Sequence, residues 1–153
     1  EKYENIMLKM IKNKKFDYKK LYSKLYFDNN DLLKLDKLGH IIGLHSHTHP
    51  TLIESLTFEE QQREYIECVE KLSELMNKTK KSFKFMSHPC GSYNKDTLKI
   101  LKDLGVKLGF KQIMAVEKSK GMKFVNNTNL EIARQDHAVI YNKMKHEINK
   151  RYH

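Results

Sequence analysis

The chain has 153 residues, of which 39% are hydrophobic and 31% charged, and its formal net charge is +10 at pH 7. This length accommodates one domain with a real core, so we expect a single domain spanning residues 1–153. The charge would suit a nucleic acid or another anionic polymer. However, the lysines are spread over nearly every segment without an RNP-type aromatic motif, so we expect no nucleic-acid partner.

The chain carries neither a membrane span nor a cysteine framework. Its apolar runs are much shorter than the roughly eighteen residues of a transmembrane helix, which predicts no transmembrane segment. Its two cysteines, Cys68 and Cys90, form no CxxC motif, so we expect a reducing compartment and predict a cytoplasmic location. Cys90 is expected to be a small buried side chain in a turn. The chain begins with Glu1 rather than Met, so we expect a fragment of a longer protein.

The first elements of the chain are helical. Residues 1–27 show mixed helical periodicity and predict a helical preamble to the core. Asn30 is expected to cap a short leucine-rich helix, which Gly39 ends in a left-handed conformation. The apolar run that follows predicts a buried strand over residues 40–45.

The longest helical pattern begins after Thr57. This residue and Glu60, three positions later, have the spacing of a capping box, and apolar residues recur at helical spacing as far as Asn77. A short strand is then predicted over residues 82–87, followed by a turn over 89–94.

The last third of the chain continues the alternation of helix and strand. Residues 95–104 predict a helix that ends at Gly105 and buries Leu98, Leu101 and Leu104. The remaining predicted elements are a strand over 106–110, a surface excursion over 111–129, a strand over 130–134 and a C-terminal helix over 138–153. This order predicts an α/β fold with a largely parallel sheet, in which functional groups lie at the carboxyl ends of strands. His45, His88 and Arg134 occupy such ends.

Three of the eight histidines lie within five positions after the predicted strand over 40–45, in the run Gly-Leu-His-Ser-His-Thr-His-Pro of residues 43–50. Neutral imidazole is the commonest metal ligand in proteins, and histidines two or four residues apart can direct their nitrogens at one ion. Chance alone gives roughly 0.4 histidine pairs at spacing four in such a chain, so the context must identify the site. Spacing leaves His45, His47 and His49 open as ligands.

Three phrases of the sequence, LGHIIGLHSHTHPTL, FMSHPCGSYNKDTLKILKDLGVKLGF and EIARQDH, resemble the polysaccharide deacetylase family, the NodB-like carbohydrate esterases. The resemblance covers residues 28–137 and implies a partial or distorted (β/α) barrel. In that family the first and last histidines of an H[ST]xxH motif bind a divalent metal. The resemblance therefore implies that His45 and His49 are metal ligands, with zinc as the expected ion, and that His47 is not.

The resemblance also implies roles around the predicted metal site. Pro89, Gly91 and Tyr93 match the stretch that forms one wall of the substrate groove. Relatives often carry an arginine two residues before this proline, where this chain has Ser87. Arg134 matches an arginine of the late segment and is implied to supply the guanidinium instead.

The general acid of the family is a histidine beside an acidic residue near the last strand. His137, next to Asp136, is the local candidate, and His88 at the groove wall is its competitor. The metal would lower the pKa of a bound water from 15.7 towards roughly 7, and an aspartate would take the proton. The family's pair of adjacent aspartates has no counterpart here, since Asp28 is interpreted as part of a helix cap.

These residues predict a metal-dependent hydrolase that removes an N-acetyl group from a carbohydrate, with the N-acetylated carbohydrate as its partner. The alternative is a degenerate, non-catalytic module that binds carbohydrate or metal, because the aspartate motif is absent from the chain.

Overall fold

The computed structural model describes residues 2–14, 17–112, 128–135 and 137–151. The chain divides into two compact units, Glu1–Ile41 and Ile42–His153. Within the ranges just given, no helix is both long and apolar enough to cross a membrane.

The first unit is helical, as its periodicity predicts. Its described residues form α1 (Lys2–Asn13), α2 (Tyr18–Leu25) and α3 (Asn29–Lys37). The chain leaves α3 through Gly39, whose φ of +86° is the predicted left-handed conformation.

The N-terminus of α3 lies earlier than the sequence predicts. Asp28 rather than Asn30 is the N-cap, because the Asp28 carboxylate accepts a hydrogen bond from the Asp31 amide at 2.9 Å. The Asp31 carboxylate in turn accepts from the Asp28 amide at 3.2 Å. This reciprocal capping box satisfies two free amides at once, and Asp28 therefore has the local structural role that the sequence assigns to it.

The second unit is built around a small parallel sheet. Strands β1 (Phe85–Ser87) and β2 (Leu108–Phe110) pair in parallel, and isolated parallel bridges add Leu44 beside β1 and Ile132 beside β2. The predicted α/β class with parallel pairing is therefore confirmed. The strands predicted over 40–45 and 130–134 are wrong in extent, since each contributes a single bridge.

Two glycines let these single-bridge segments come close to the strands. A Cβ on Gly43 would lie 2.9 Å from the Phe85 carbonyl oxygen, and a Cβ on Gly109 would lie 2.5 Å from that of Leu130. Beyond Leu44 the backbone leaves the extended conformation at Ser46, where φ is +62°. Strand pairing therefore stops just before residues 45–49.

Helix α4 (Phe58–Met76) begins as predicted. The Thr57 hydroxyl accepts from the Glu60 amide at 3.2 Å, and the Glu60 carboxylate accepts from the Thr57 amide at 2.9 Å. Asn77 ends the helix in the left-handed region, with φ of +50°.

Helix α5 (Lys95–Asp103) packs against α4, and its buried face matches the predicted one only in part, since Leu101 is buried as expected. Thr97, Ile100 and Leu101 are its buried residues, whereas Leu98 and Leu104 are half-buried. The reason is a buried hydrogen bond of 2.6 Å from the Thr97 hydroxyl to the Gln61 side-chain oxygen of α4. This bond orients α5 so that Thr97 faces α4. Apolar periodicity does not reveal such a pair.

The C-terminal helix α6 (His137–Arg151) agrees with the helix predicted over 138–153, and three single-turn 3-10 helices complete the described elements: Ile53–Ser55, Lys80–Ser82 and Pro89–Gly91. The core of the second unit combines buried residues of the sheet segments, α4 and α5. Its most deeply buried apolar side chains are Leu44, Ile53, Tyr65, Val69, Met86, Ile100 and Leu101.

Candidate functional site

The histidine loop, residues 45–49, leaves the sheet edge in a tightly bent conformation. Both Ser46 and His49 have positive φ, at +62° and +58°. This bend brings His49 back towards His45, so that their ring centroids lie 4.9 Å apart with the planes tilted by 56°. Both side chains are exposed.

The His45 ring has a defined tautomer. Its Nδ1 lies 2.8 Å from the Ser87 carbonyl oxygen at the end of β1. Because a carbonyl oxygen only accepts hydrogen bonds, Nδ1 must carry the proton and donate it. The lone pair of the neutral ring is then on Nε2, the arrangement that a metal-binding histidine adopts when its other nitrogen is held by a backbone carbonyl.

The His47 ring is engaged elsewhere. Its Nε2 lies 3.4 Å from a Glu67 carboxylate oxygen and 3.1 Å from the Lys71 ammonium, both on α4. Spacing left three histidines open as ligands, and the geometry pairs two of them while the third faces the helix. The non-ligand role expected for His47 stays a prediction.

Glu64 of α4 holds the backbone of the histidine loop. One carboxylate oxygen accepts from the amides of His47 at 3.0 Å and Thr48 at 2.8 Å, and the other accepts from the Thr48 hydroxyl at 2.6 Å. Partial burial raises the pKa of Glu64, but the hydrogen bonds from Thr48 and His47 outweigh burial and hold it below its usual value. The group is therefore a carboxylate at neutral pH.

The histidine pair fits part of a zinc site. Two imidazoles that each place a nitrogen about 2 Å from one tetrahedral ion have centroids roughly 5 Å apart, which agrees with the spacing of His45 and His49. Across the described ranges, no group of three or more His, Cys, Asp or Glu side chains could hold a metal. Burial raises the pKa of the Cys68 thiol and disfavours the thiolate that zinc requires. The structure therefore brings together two of the side chains that a zinc site would need, a candidate half-site.

Arg134 lies beside this half-site. Its Nη1 donates to the Ser87 hydroxyl at 3.3 Å, and the carbonyl of the same Ser87 holds His45. Arg134 is exposed, so its guanidinium remains accessible to a ligand. Arg134 therefore contacts Ser87, the residue that stands where relatives often carry an arginine.

His88 is buried behind the site rather than exposed in it. Its ring is 1% exposed, Nε2 donates to the Leu130 carbonyl at 2.7 Å, and the ring stacks on Tyr93 with centroids 4.3 Å apart. Burial lowers the pKa of His88 below its usual value of 6.5, so the ring is neutral at pH 7. Its Nδ1 is buried and has no hydrogen-bond partner among the described residues. This geometry favours a structural role for His88.

Tyr93 is tied to the same buried layer. Its hydroxyl donates to the Glu131 carboxylate at 3.0 Å, and Glu131 is itself buried. Burial and this bond raise the pKa of Tyr93 to about 12. Because one face of the Tyr93 ring packs on His88, that face cannot stack on a sugar.

The turn after β1 is shaped by Pro89 and Gly91. Pro89 is fully buried at the first position of the 3-10 helix, and Gly91 has φ of +72°. Their predicted role in substrate binding stays a prediction. In the structure, both residues determine the backbone path of this turn. Cys90, expected to be buried, is exposed, because its left-handed backbone (φ +51°) directs the side chain outwards.

His137 is the first residue of α6, and its side chain is exposed. Its acidic neighbour Asp136 lies outside the described residues. The assignment of His137 as general acid therefore stays a prediction.

Sequence reasoning missed two residues of the site. Glu64 lies on a correctly predicted helix, but its contact with the loop is tertiary and leaves no local signal. The sequence identifies Ser87 only as the residue that replaces an arginine of the relatives. In the structure, its carbonyl accepts a hydrogen bond from His45 and its hydroxyl accepts one from Arg134. Its position at a predicted strand end was the available signal.

Comparison with known proteins identifies the family. A family model described as polysaccharide deacetylase matches residues 10–109, a range that contains the His45/His49 pair and the turn after β1 and ends before Arg134 and His137. No curated protein matches the chain.

Solved structures share the fold. The deacetylase PplD of Streptococcus pyogenes, in complex with acetate, is 21% identical with a TM-score of 0.61 over 76% of this chain and 47% of that chain. The BpsB deacetylase domain of Bordetella bronchiseptica is 12% identical with a TM-score of 0.55 over 72% of this chain and 48% of that chain. A further match is BA3943 of Bacillus anthracis, described as a CE4 family pseudoenzyme, with 19% identity and a TM-score of 0.46 over 51% and 26% of the two chains.

This chain spans less than half the length of each of these structures. The fold is that of NodB-like deacetylase domains, as the sequence predicts. Since the family model matches well over half of the chain, this protein belongs to the polysaccharide deacetylase family.

Proposed function

We propose that this chain carries the metal-binding half-site of a metal-dependent hydrolase that removes N-acetyl groups from a carbohydrate, with zinc as the metal. The observation that carries the proposal is the His45/His49 pair, whose rings lie 4.9 Å apart, with the His45 tautomer fixed by the Ser87 carbonyl. Family membership supports the reaction class. The acetylated carbohydrate is the substrate class that this family membership suggests.

Different residues of the chain would have different roles in the proposed site. A bound zinc ion would supply Lewis-acid polarisation of the acetamide carbonyl and would acidify a water molecule, whose proton an aspartate would take, as the resemblance to the family implies. His45 and His49 would hold the ion, and the Ser87 carbonyl orients His45 by accepting a hydrogen bond from its Nδ1. The Arg134 guanidinium, which donates to the Ser87 hydroxyl, would attract the developing negative charge of the acetyl oxygen.

The general acid must give a proton to the departing amine. In the neutral ring, the proton of His88 is on Nε2 and is committed to the Leu130 carbonyl within the buried layer. His137 is exposed at the first position of α6. We therefore assign the acid to His137 and a structural role to His88.

Acetate release from chito-oligosaccharides, measured with a coupled assay, tests the proposed function. We expect release by the wild-type chain, loss after chelation, and recovery on adding zinc. His45→Ala and His49→Ala are expected to abolish release, whereas the matched variant His47→Ala is expected to retain it. Release that continues after complete removal of metal would overturn the proposal.

A non-catalytic binding module is the second candidate, because the described residues supply two histidines but no third metal ligand. In that case the chain would bind zinc through His45 and His49 and would bind the oligosaccharide, yet release no acetate. Calorimetric titration of the oligosaccharide alongside the acetate assay separates the two candidates.

A further inference from the structure

The histidine loop adopts a backbone that its own residues do not favour. Ser46 and His49 both have positive φ, although neither is glycine and the two lie three positions apart. L-residues in this region are strained and persist only where the surrounding structure holds them. In an extended strand, residues four positions apart lie about 13 Å apart. The bend at Ser46 and His49 accompanies a ring distance of 4.9 Å, so whatever holds the loop also sets the geometry of the pair.

Glu64 is the group that holds the loop. Its two oxygens accept three hydrogen bonds from the residues between the strained positions: the amides of His47 and Thr48, at 3.0 and 2.8 Å, and the Thr48 hydroxyl at 2.6 Å. Glu64 lies on the second turn of α4, whose packing against α5 fixes its position. The loop is thereby anchored to a rigid element rather than to another loop.

We propose that Glu64 is a positioning residue that sets the metal affinity of the His45/His49 pair by fixing the backbone of the histidine loop. This inference rests on the proposed metal half-site. Glu64 is not offered as a ligand: its oxygens are occupied by the loop, and it acts through the direction in which His49 points. Partners of this kind typically change metal affinity by about 10- to 100-fold when they are removed.

The geometry distinguishes an effect of shape from an effect of charge. Glutamine at position 64 could keep all three bonds, since its amide oxygen can accept from both backbone amides while its NH₂ group donates to the Thr48 hydroxyl. Glu64→Gln therefore removes the charge and keeps the anchor, whereas Glu64→Ala removes both. Glu67 provides a matched control, because it lies three residues further along α4 and contacts the His47 ring instead of the loop backbone.

Zinc affinity, measured by competition with a chromophoric chelator, tests the inference. We expect Glu64→Ala to weaken zinc binding at least about ten-fold, Glu64→Gln to stay within about three-fold of wild type, and Glu67→Ala to stay within about two-fold. Amide hydrogen exchange of Thr48 in the metal-free protein supplies an independent readout, and we expect it to accelerate in Glu64→Ala and not in Glu64→Gln. Thermal unfolding checks that each variant is folded.

Each failure has a distinct signature. Wild-type zinc binding that does not depend on His45 or His49 overturns the proposed function. Zinc binding that depends on both histidines but is equal in wild type and Glu64→Ala overturns only the role of Glu64, as does an equal loss in Glu64→Ala and Glu64→Gln. Thr48→Val serves if Glu64→Ala does not fold. It deletes the hydroxyl bond and keeps the amide bonds, so we expect a loss of about two- to five-fold, and unchanged affinity would contradict the inference.

Discussion

Because the His88 ring is buried, we expect the free energy of unfolding to decrease when the pH is lowered below 6.5. Burial lowers the pKa of His88 in the folded state, whereas in the unfolded chain it titrates near 6.5. Between the lowered pKa and 6.5 the unfolded chain binds a proton that the folded protein does not, so the free energy of unfolding decreases as the pH falls. At pH 5.5 this loss reaches at most about 1.4 kcal/mol, the value for a folded ring that takes up no proton.

Urea unfolding at pH 7.5 and pH 5.5 measures this effect in wild type and in His88→Gln. The glutamine does not titrate, so the fall in stability between the two pH values should be smaller in the variant by up to about 1.4 kcal/mol. His40→Gln, which removes an exposed histidine, is the matched substitution outside the buried layer. An equal pH dependence in wild type and His88→Gln would refute the buried, neutral state of His88.

Two further substitutions test the sheet and the site. Gly109→Ala places a Cβ 2.5 Å from the Leu130 carbonyl oxygen, so we expect it to lower the free energy of unfolding by about 2 kcal/mol or more. A loss below about 0.5 kcal/mol in urea unfolding would contradict this close approach. Arg134→Ala removes the guanidinium beside Ser87, so we expect kcat/KM for acetate release to fall about ten-fold or more. Zinc content should stay unchanged, and loss of zinc would instead make Arg134 part of the metal site.

Elements whose signals are local in sequence could be predicted closely. The capping box of Thr57 and Glu60 and the left-handed Gly39 depend on residues within a few positions of each other, and both are present as predicted. The N-cap of α3 was placed two residues late because several consecutive polar residues can cap a helix. Asp28 is the one whose partner, Asp31, completes a reciprocal box.

Features that depend on distant residues could not be predicted in this way. The buried face of α5 is set by Thr97 meeting Gln61 from another helix, and the exposure of Cys90 follows from a backbone conformation that its sequence does not announce. The same limit applies to the site. The His45/His49 pair follows from a motif, but its anchor Glu64 is 16 residues from Thr48 and is recognised only once α4 lies beside the loop.

The zinc content of purified variants after dialysis tests the central claim most directly. We predict that wild type and His47→Ala retain zinc at the same stoichiometry, because the His47 ring is engaged with Glu67 and Lys71 on α4. His45→Ala and His49→Ala should each lose it, because either change leaves a single imidazole. Equal zinc content in all three variants would contradict the two-histidine half-site on which the account depends.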